Sequence, residues 1–221
     1  MRSNLFKYII FFLPWVLLAC SKKNEPDPSI VHKVLILGNS ITYAPANPTE
    51  GWNCSCGMAA SSVDKDYVHL LEARLKALNK STTVDVVNIG EFEGNFDTYD
   101  FNKLQNYRDA KPDIIIIRIG EAVLTTDGAL FESKYKELLN YLKVNNPGVK
   151  ILAVGSILIG RDLADNVMSK YSDYISLLNL RFDPAHFSYG LFTNPGIASH
   201  PSDKGMKAIS DKIWDELKKS L

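Results

Sequence analysis

At 221 residues the chain is long enough for one ordinary domain and too short for two comfortable ones. A hydrophobic share of 46% excludes a disordered chain, and a formal charge of zero excludes the basic footprint of a nucleic-acid binder. Neither G-x-x-x-x-G-K nor a G-x-G-x-x-G after the first strand occurs, which argues against nucleotide and dinucleotide cofactors.

Arg2 and Lys7 open the chain and Tyr8 to Leu18 is an apolar run. That run has the length of a signal-peptide core and falls short of the roughly 20 residues a membrane-spanning helix needs. It ends Leu17-Leu18-Ala19-Cys20, which resembles a bacterial lipobox. The resemblance implies that Cys20 is acylated, becomes the first mature residue and anchors the protein to a membrane of the cell envelope. Several acyl chains on one residue hold stably where a single chain does not. The expected organisation is a signal peptide over residues 1–19, a lipidated cysteine and flexible tether over 20–31, and one domain over 32–221. The tether, Ser21 to Ser29, is polar with two prolines. Cleavage removes Arg2 and Lys7, so the mature chain is slightly acidic.

The domain opens with Lys33 to Leu37, a branched apolar run that fits a strand buried on both faces. Gly38 and Asn39 end it in a tight turn, which places Ser40 at the carboxyl edge of the sheet. The loop from Ile41 to about Ala59 is long enough to suggest a functional role. Ser61 and Asp64 have capping-box spacing for a helix over about Val63 to Asn79, with Tyr67, Leu71, Leu75 and Leu78 on one face. Thr82 to Ile89 reads as the second strand, Gly90 to Asn95 as a turn, and Tyr99, Leu104 and Tyr107 as a weaker helix. Ile114 to Ile117 is the clearest buried strand. Thr126 or Asp127 caps a helix lined by Phe131, Tyr135, Leu138 and Leu142, which Asn146-Pro147-Gly148 stops. Lys150 to Ser156 is the fourth strand, Asp162 to about Tyr174 a helix, and Ile175 to Leu180 the fifth strand. Arg181 to Ser199 reads as loop. Ser202 or Asp203 caps a last helix with Met206, Ile209, Ile213 and Leu217 inside. Strands alternating with helices predict a doubly wound, flavodoxin-like α/β sandwich with a five-stranded parallel sheet.

None of the four histidines is paired at metal-ligand spacing, so no zinc site is expected. Cys54-Ser55-Cys56 is not a C-x-x-C redox pair; it reads as two small loop side chains, free or bridged. His200-Pro201-Ser202-Asp203 precedes the last helix, on the same sheet edge as Ser40. A serine hydroxyl needs a base to become a nucleophile, and a histidine within hydrogen-bond reach supplies one.

G-N-S-I-T from Gly38, a turn after the second strand, R-I-G-E from Arg118 and H-P-S-D-K-G-M from His200 together resemble the SGNH (GDSL-type) esterase and lipase superfamily. The resemblance covers nearly all of residues 32–221. Gly51-Trp52 and Gly57 to Ser61, with Asp66-Tyr67, look like envelope members from Bacteroidetes-like bacteria. It implies Ser40 as nucleophile, His200 as base, no cofactor, and O-acyl groups on glycans as substrate. By the same resemblance the oxyanion hole takes the backbone of Ser40 and of Glu93 or Gly94. Three positions depart from the family. Asn39 replaces the usual aspartate; Gly120-Glu121-Ala122 stands where members read G-x-N; Ile197 replaces the aspartate three residues before the histidine. Glu121 and Asp203 are the carboxylates left to orient His200, with an Arg118 salt bridge and helix capping as their competing roles; a backbone carbonyl is the orienter in some relatives. The expected activity is hydrolysis of O-acyl, above all acetyl, esters through a Ser–His dyad. The alternative is a degenerate relative that binds a glycan, with Tyr43, Trp52, Phe187 and Tyr189 as stacking faces. A flavodoxin-like cofactor protein would need an anion-binding loop that Gly38 to Thr42 scarcely offers.

Overall fold

The branched apolar runs do become the middle of a sheet. The computed structural model describes residues 31–124, 126–219 and 221. Its strands are β1 (Lys33–Gly38), β2 (Thr83–Asn88), β3 (Ile114–Arg118), β4 (Lys150–Val154) and β5 (Asp173–Ile175). They pair in the order β2-β1-β3-β4-β5, all parallel. The expected signal peptide, Cys20 and all of the tether but Val31 lie outside the described residues.

Period-two alternation divides the core. Val34 and Ile36, Ile114 and Ile116, Leu152 and Val154 face one apolar layer. Leu35 and Leu37, Ile115 and Ile117, Ile151 and Ala153 face the other. Helices α1 (Tyr67–Leu78) and α7 (Asp203–Leu217) cover the first face with Leu71, Leu75, Ile209 and Ile213. The second is covered by α4 (Gly128–Lys143) and α5 (Asp162–Tyr171), through Phe131, Tyr135, Leu138 and Met168. Short helices α2 (Gly90–Gly94), α3 (Gln105–Asp109) and α6 (Pro195–Ala198) complete the chain.

The differences from expectation have local causes. The fifth strand lies earlier, because Leu177 and Leu180 are buried while Leu178 is 51% exposed. A burial spacing of three belongs to the 3-10 turn Leu178–Leu180, not to a strand. Helix α1 is capped by Asp66, which accepts from His69 N at 2.8 Å. Ser61 does not cap it; its amide and hydroxyl donate to the Asp203 carboxylate at 2.8 and 2.6 Å. With Asp203 so engaged, Ser202 caps α7, its hydroxyl accepting from Gly205 N. The expected turn at 90–95 winds into α2, and the expected loop at 181–199 contains α6.

Candidate active site

Strand β1 ends where the chain must fold back on itself. A Cβ at Gly38 would lie 1.8 Å from Thr42 Oγ1, so only glycine permits the turn. Asn39 Oδ1 accepts from Ile41 N at 3.1 Å, clamping the backbone on either side of Ser40. Met58 N donates to Ser40 O at 2.9 Å, so the long loop braces the same residue. The chain leaves β1 for β2 on one side and returns as β3 on the other. Ser40 therefore stands at the topological switch point, where open α/β sheets leave a crevice.

His200 arrives from the far end of the chain. Its Nε2 lies 2.8 Å from Ser40 Oγ. Its Nδ1 lies 2.8 Å from the Gly196 carbonyl oxygen. A carbonyl only accepts, so Nδ1 carries the proton and Nε2 turns its lone pair to the hydroxyl. Asn194 makes this possible: its side chain caps α6 by accepting from Gly196 N and Ile197 N, which fixes that carbonyl. Burial lowers the His200 pKa below the ordinary 6.5, with the Gly196 hydrogen bond opposing, so the ring is neutral at pH 7. The orienter is thus a backbone carbonyl. Asp203 is tied to Ser61. Glu121 turns beneath the site to Arg118.

Under Ser40 lies a buried polar network. Arg118, fully enclosed, donates from Nη2 to Glu121 Oε1 at 2.6 Å and from Nη1 to Oε2 at 3.1 Å. Asn39 Nδ2 donates to Glu121 Oε2 at 2.7 Å and to Glu93 Oε1 at 3.0 Å. Glu93 also accepts from the amides of Gly120 and Ala122, at 2.5 and 3.3 Å. This explains why position 39 is an asparagine and not the aspartate that the resemblance leads one to expect. An aspartate at 39 could donate to neither carboxylate and would be a third acid among them; an amide donates to both. Burial, then the charge of Glu121, pushes the Glu93 carboxyl up to about 7. Burial is the largest influence on Glu121 too, but the Arg118 guanidinium together with hydrogen bonds from Asn39 and Ile157 N outweighs it and holds that carboxyl low.

Two cavities meet at His200. A small one, about 200 Å³, is lined by Ser40, Ile41, Glu93, Ala122, Leu158 and His200, with Asn39, Glu121 and Ser199 around them. A wider groove of about 580 Å³ runs between Ala44–Trp52 and Asn194–Ile197 and reaches His200 but not Ser40. Cys54 and Cys56 are joined by a disulfide in the loop that forms its wall. Of the residues expected to stack on sugar, Trp52 and Phe187 are buried, Trp52 edge-on to Phe192 at 6.4 Å. Tyr43 and Tyr189 remain exposed.

The sequence-derived residues therefore divide. Ser40 and His200 come together; Asn39, Glu93 and Glu121 gather beneath them; Gly94 does not line the cavity, and Asp203 is elsewhere. Sequence reasoning gave Glu93 only a backbone role, and nothing in G-E-F-E-G signals that its side chain turns inward. It also passed over Gly196 and Asn194, whose contributions are a carbonyl and a cap.

No family model matches the sequence, and comparison with curated proteins finds no relative. Solved structures do match. A carbohydrate esterase family 2 enzyme with a carbohydrate-binding domain, from Corynascus thermopiles (Myceliophthora fergusii), aligns at TM-score 0.57 and 14% identity, over 86% of this chain and 66% of that one. A two-domain esterase active on acetylated mannans, co-crystallized with mannopentaose, aligns at 0.57 and 16%, over 85% and 49%. The chain thus spans less than two thirds of these first two proteins. The acetyl xylan esterase AlAXEase aligns at 0.53 and 21%, over 83% of this chain and 98% of that one. The five-stranded parallel sheet with helices on both faces is an α/β fold that matches these SGNH (GDSL-type) hydrolase neighbours.

Proposed function

We propose that this protein is a lipid-anchored serine ester hydrolase that removes short O-acyl groups, acetyl above all, from carbohydrates. The observation that carries this reading is the 2.8 Å contact between Ser40 Oγ and a neutral His200 Nε2 whose other nitrogen is already satisfied. Ser40 attacks the ester carbonyl while His200 takes its proton. His200 returns that proton to the departing alkoxide, and water repeats the cycle on the acyl-enzyme. The Ser40 amide is one donor to the oxyanion.

The two cavities suit the two halves of the ester. His200 must reach the leaving oxygen, so the alcohol lies on its side, in the wide groove that only the base touches. The acyl group then enters the small cavity beside Ser40 and Ala122, which suits a short chain. Neutral acyl groups fit best, because Glu93 and Glu121 line that cavity. A glycan as the alcohol is supported by neighbours described as acting on acetyl xylan and acetylated mannans.

Incubation with an acetylated xylan oligosaccharide should release acetate. A fluorophosphonate should label Ser40, located by mass spectrometry, and stop the release. Labelling elsewhere, or no acetate, would refute the hydrolase and favour the glycan-binding alternative, which alanine at 122 motivates. The anchor is tested apart from the chemistry. Replacing Cys20 with serine should move the protein from the membrane fraction to the soluble one, and unchanged fractionation would exclude acylation there.

A further inference from the structure

Ala122 stands where the family's third block places an asparagine, and an alanine side chain donates nothing. Glu93 stands beside it. Glu93 Oε1 is held by Gly120 N at 2.5 Å and Asn39 Nδ2 at 3.0 Å. Oε2 is the looser oxygen, 3.3 Å from Asn39 Nδ2 and 3.3 Å from Ala122 N. Glu93 lines the small cavity together with Ser40, Ala122 and His200. Building on the esterase reading, we propose that Glu93 is a further catalytic residue: protonated on Oε2, it donates a hydrogen bond to the ester carbonyl oxygen as the tetrahedral intermediate forms.

Two arguments meet here. An oxyanion forming beside an ionised, buried carboxylate would be repelled by it, since like charges a few ångströms apart in a weakly polar site cannot both persist. Turnover in this cavity therefore needs Glu93 neutral, and a neutral carboxyl is also a donor. The charges around it allow this. From β3 and the loop after it come Arg118 and Glu121, which satisfy each other through two N–H···O bonds. From the β1 turn comes the uncharged amide of Asn39. From the segment before α7 comes His200, kept neutral by burial. On its own helix, Glu91 turns outward to Lys103. One guanidinium thus faces two carboxylates, and Glu93 is the one without it. Burial and the Glu121 charge hold its proton to about pH 7. A carboxylic acid kept neutral so that it can donate to an oxyanion is established chemistry. The proton stays on Glu93 throughout, so no bond to it breaks.

The proposal predicts a bell-shaped profile of kcat/KM on an acetyl ester. On the acid side the rate falls as His200 protonates, below its ordinary 6.5. On the alkaline side it falls as Glu93 ionises near pH 7, towards a level about 10²-fold lower, the usual cost of one oxyanion donor. Glu93→Gln keeps a donor of the same shape that does not titrate, so its alkaline decline should vanish. Ala122→Asn supplies an amide at that position but leaves the charge of ionised Glu93, so it should recover only part of the alkaline loss with Glu93 intact. An alkaline decline unchanged in Glu93→Gln, or a wild-type rate still rising from pH 7 to 9, would overturn the proposal. Infrared difference spectra at pH 6 against pH 9 need no turnover. They should show a protonated-carboxyl stretch in the wild type that Glu93→Gln lacks, and its absence would also overturn the proposal. That stretch present with no ester turned over at any pH would instead bring down the esterase reading, and this role with it.

Discussion

Removing the Ser40 hydroxyl as S40A, or the His200 imidazole as H200A, should each lower kcat by about 10⁴–10⁶-fold, and removing both should cost little more than either alone. The expectation follows from the geometry of one shared proton. Ser40 Oγ and His200 Nε2 are 2.8 Å apart, so the base has no other task once the hydroxyl is gone. The hydroxyl in turn has no route to the alkoxide once the base is gone. For S40A, KM should move far less than kcat, because the groove holding the alcohol is lined by His200 but not by Ser40. Acetate release from a soluble acetyl ester measures all three variants. Losses that multiply in the double variant would mean that the two side chains act on different steps, and the pairing would fail.

The scaffold was legible because its signals are periodic and local. Ile114 to Ile117, four branched apolar residues in a row, is the clearest strand signal in the chain, and Leu138 and Leu142 recur at helical spacing whatever surrounds them. That Ser40 and His200 meet was legible for another reason: two short segments, 160 positions apart, each carry a residue whose chemistry can use the other. What the sequence hid is whatever depends on a side chain's direction. Glu93 lies in a stretch that reads as a turn, and the winding of α2 is what carries its carboxylate under Asn39. The orienter of His200 was open among two carboxylates and a backbone carbonyl. Asp203 is taken by Ser61, a contact across 142 positions that capping rules do not anticipate. Glu121 is taken by Arg118, three positions before it, a competition the sequence did pose but could not decide. The fifth strand was displaced because Leu177 and Leu180 suit a 3-10 turn and a strand edge equally well when read as letters.

Arg118→Met should destabilise the fold by about 3–5 kcal/mol at pH 7, because it leaves buried carboxylate charge with no cation. For a domain of this size that is a fall in Tm of roughly 6–20 °C. The guanidinium is fully enclosed and holds both oxygens of Glu121. Methionine fills the space but compensates no charge, so Glu121 must then take up a proton to stay buried. That fixes the pH dependence. In the wild type the Arg118 charge holds the Glu121 carboxyl below its ordinary 4.5, so this stabilisation is present above 4.5 and lost as pH falls through the lowered value. In the variant only the hydrogen bonds from Asn39 and Ile157 N still oppose the burial penalty on Glu121, so its carboxyl rises and stability is instead lost as pH rises. The gap between the two proteins should therefore narrow steadily from pH 7 towards pH 4, followed by thermal unfolding. Removing the second charge as well, in Arg118→Met with Glu121→Met, should recover much of the loss, since replacing a whole buried ion pair by apolar groups is often close to neutral. A single variant as stable as the wild type at pH 7, or a gap that does not narrow on acidification, would mean that the network's charges are already screened and that Arg118 is only filling space beneath Ser40.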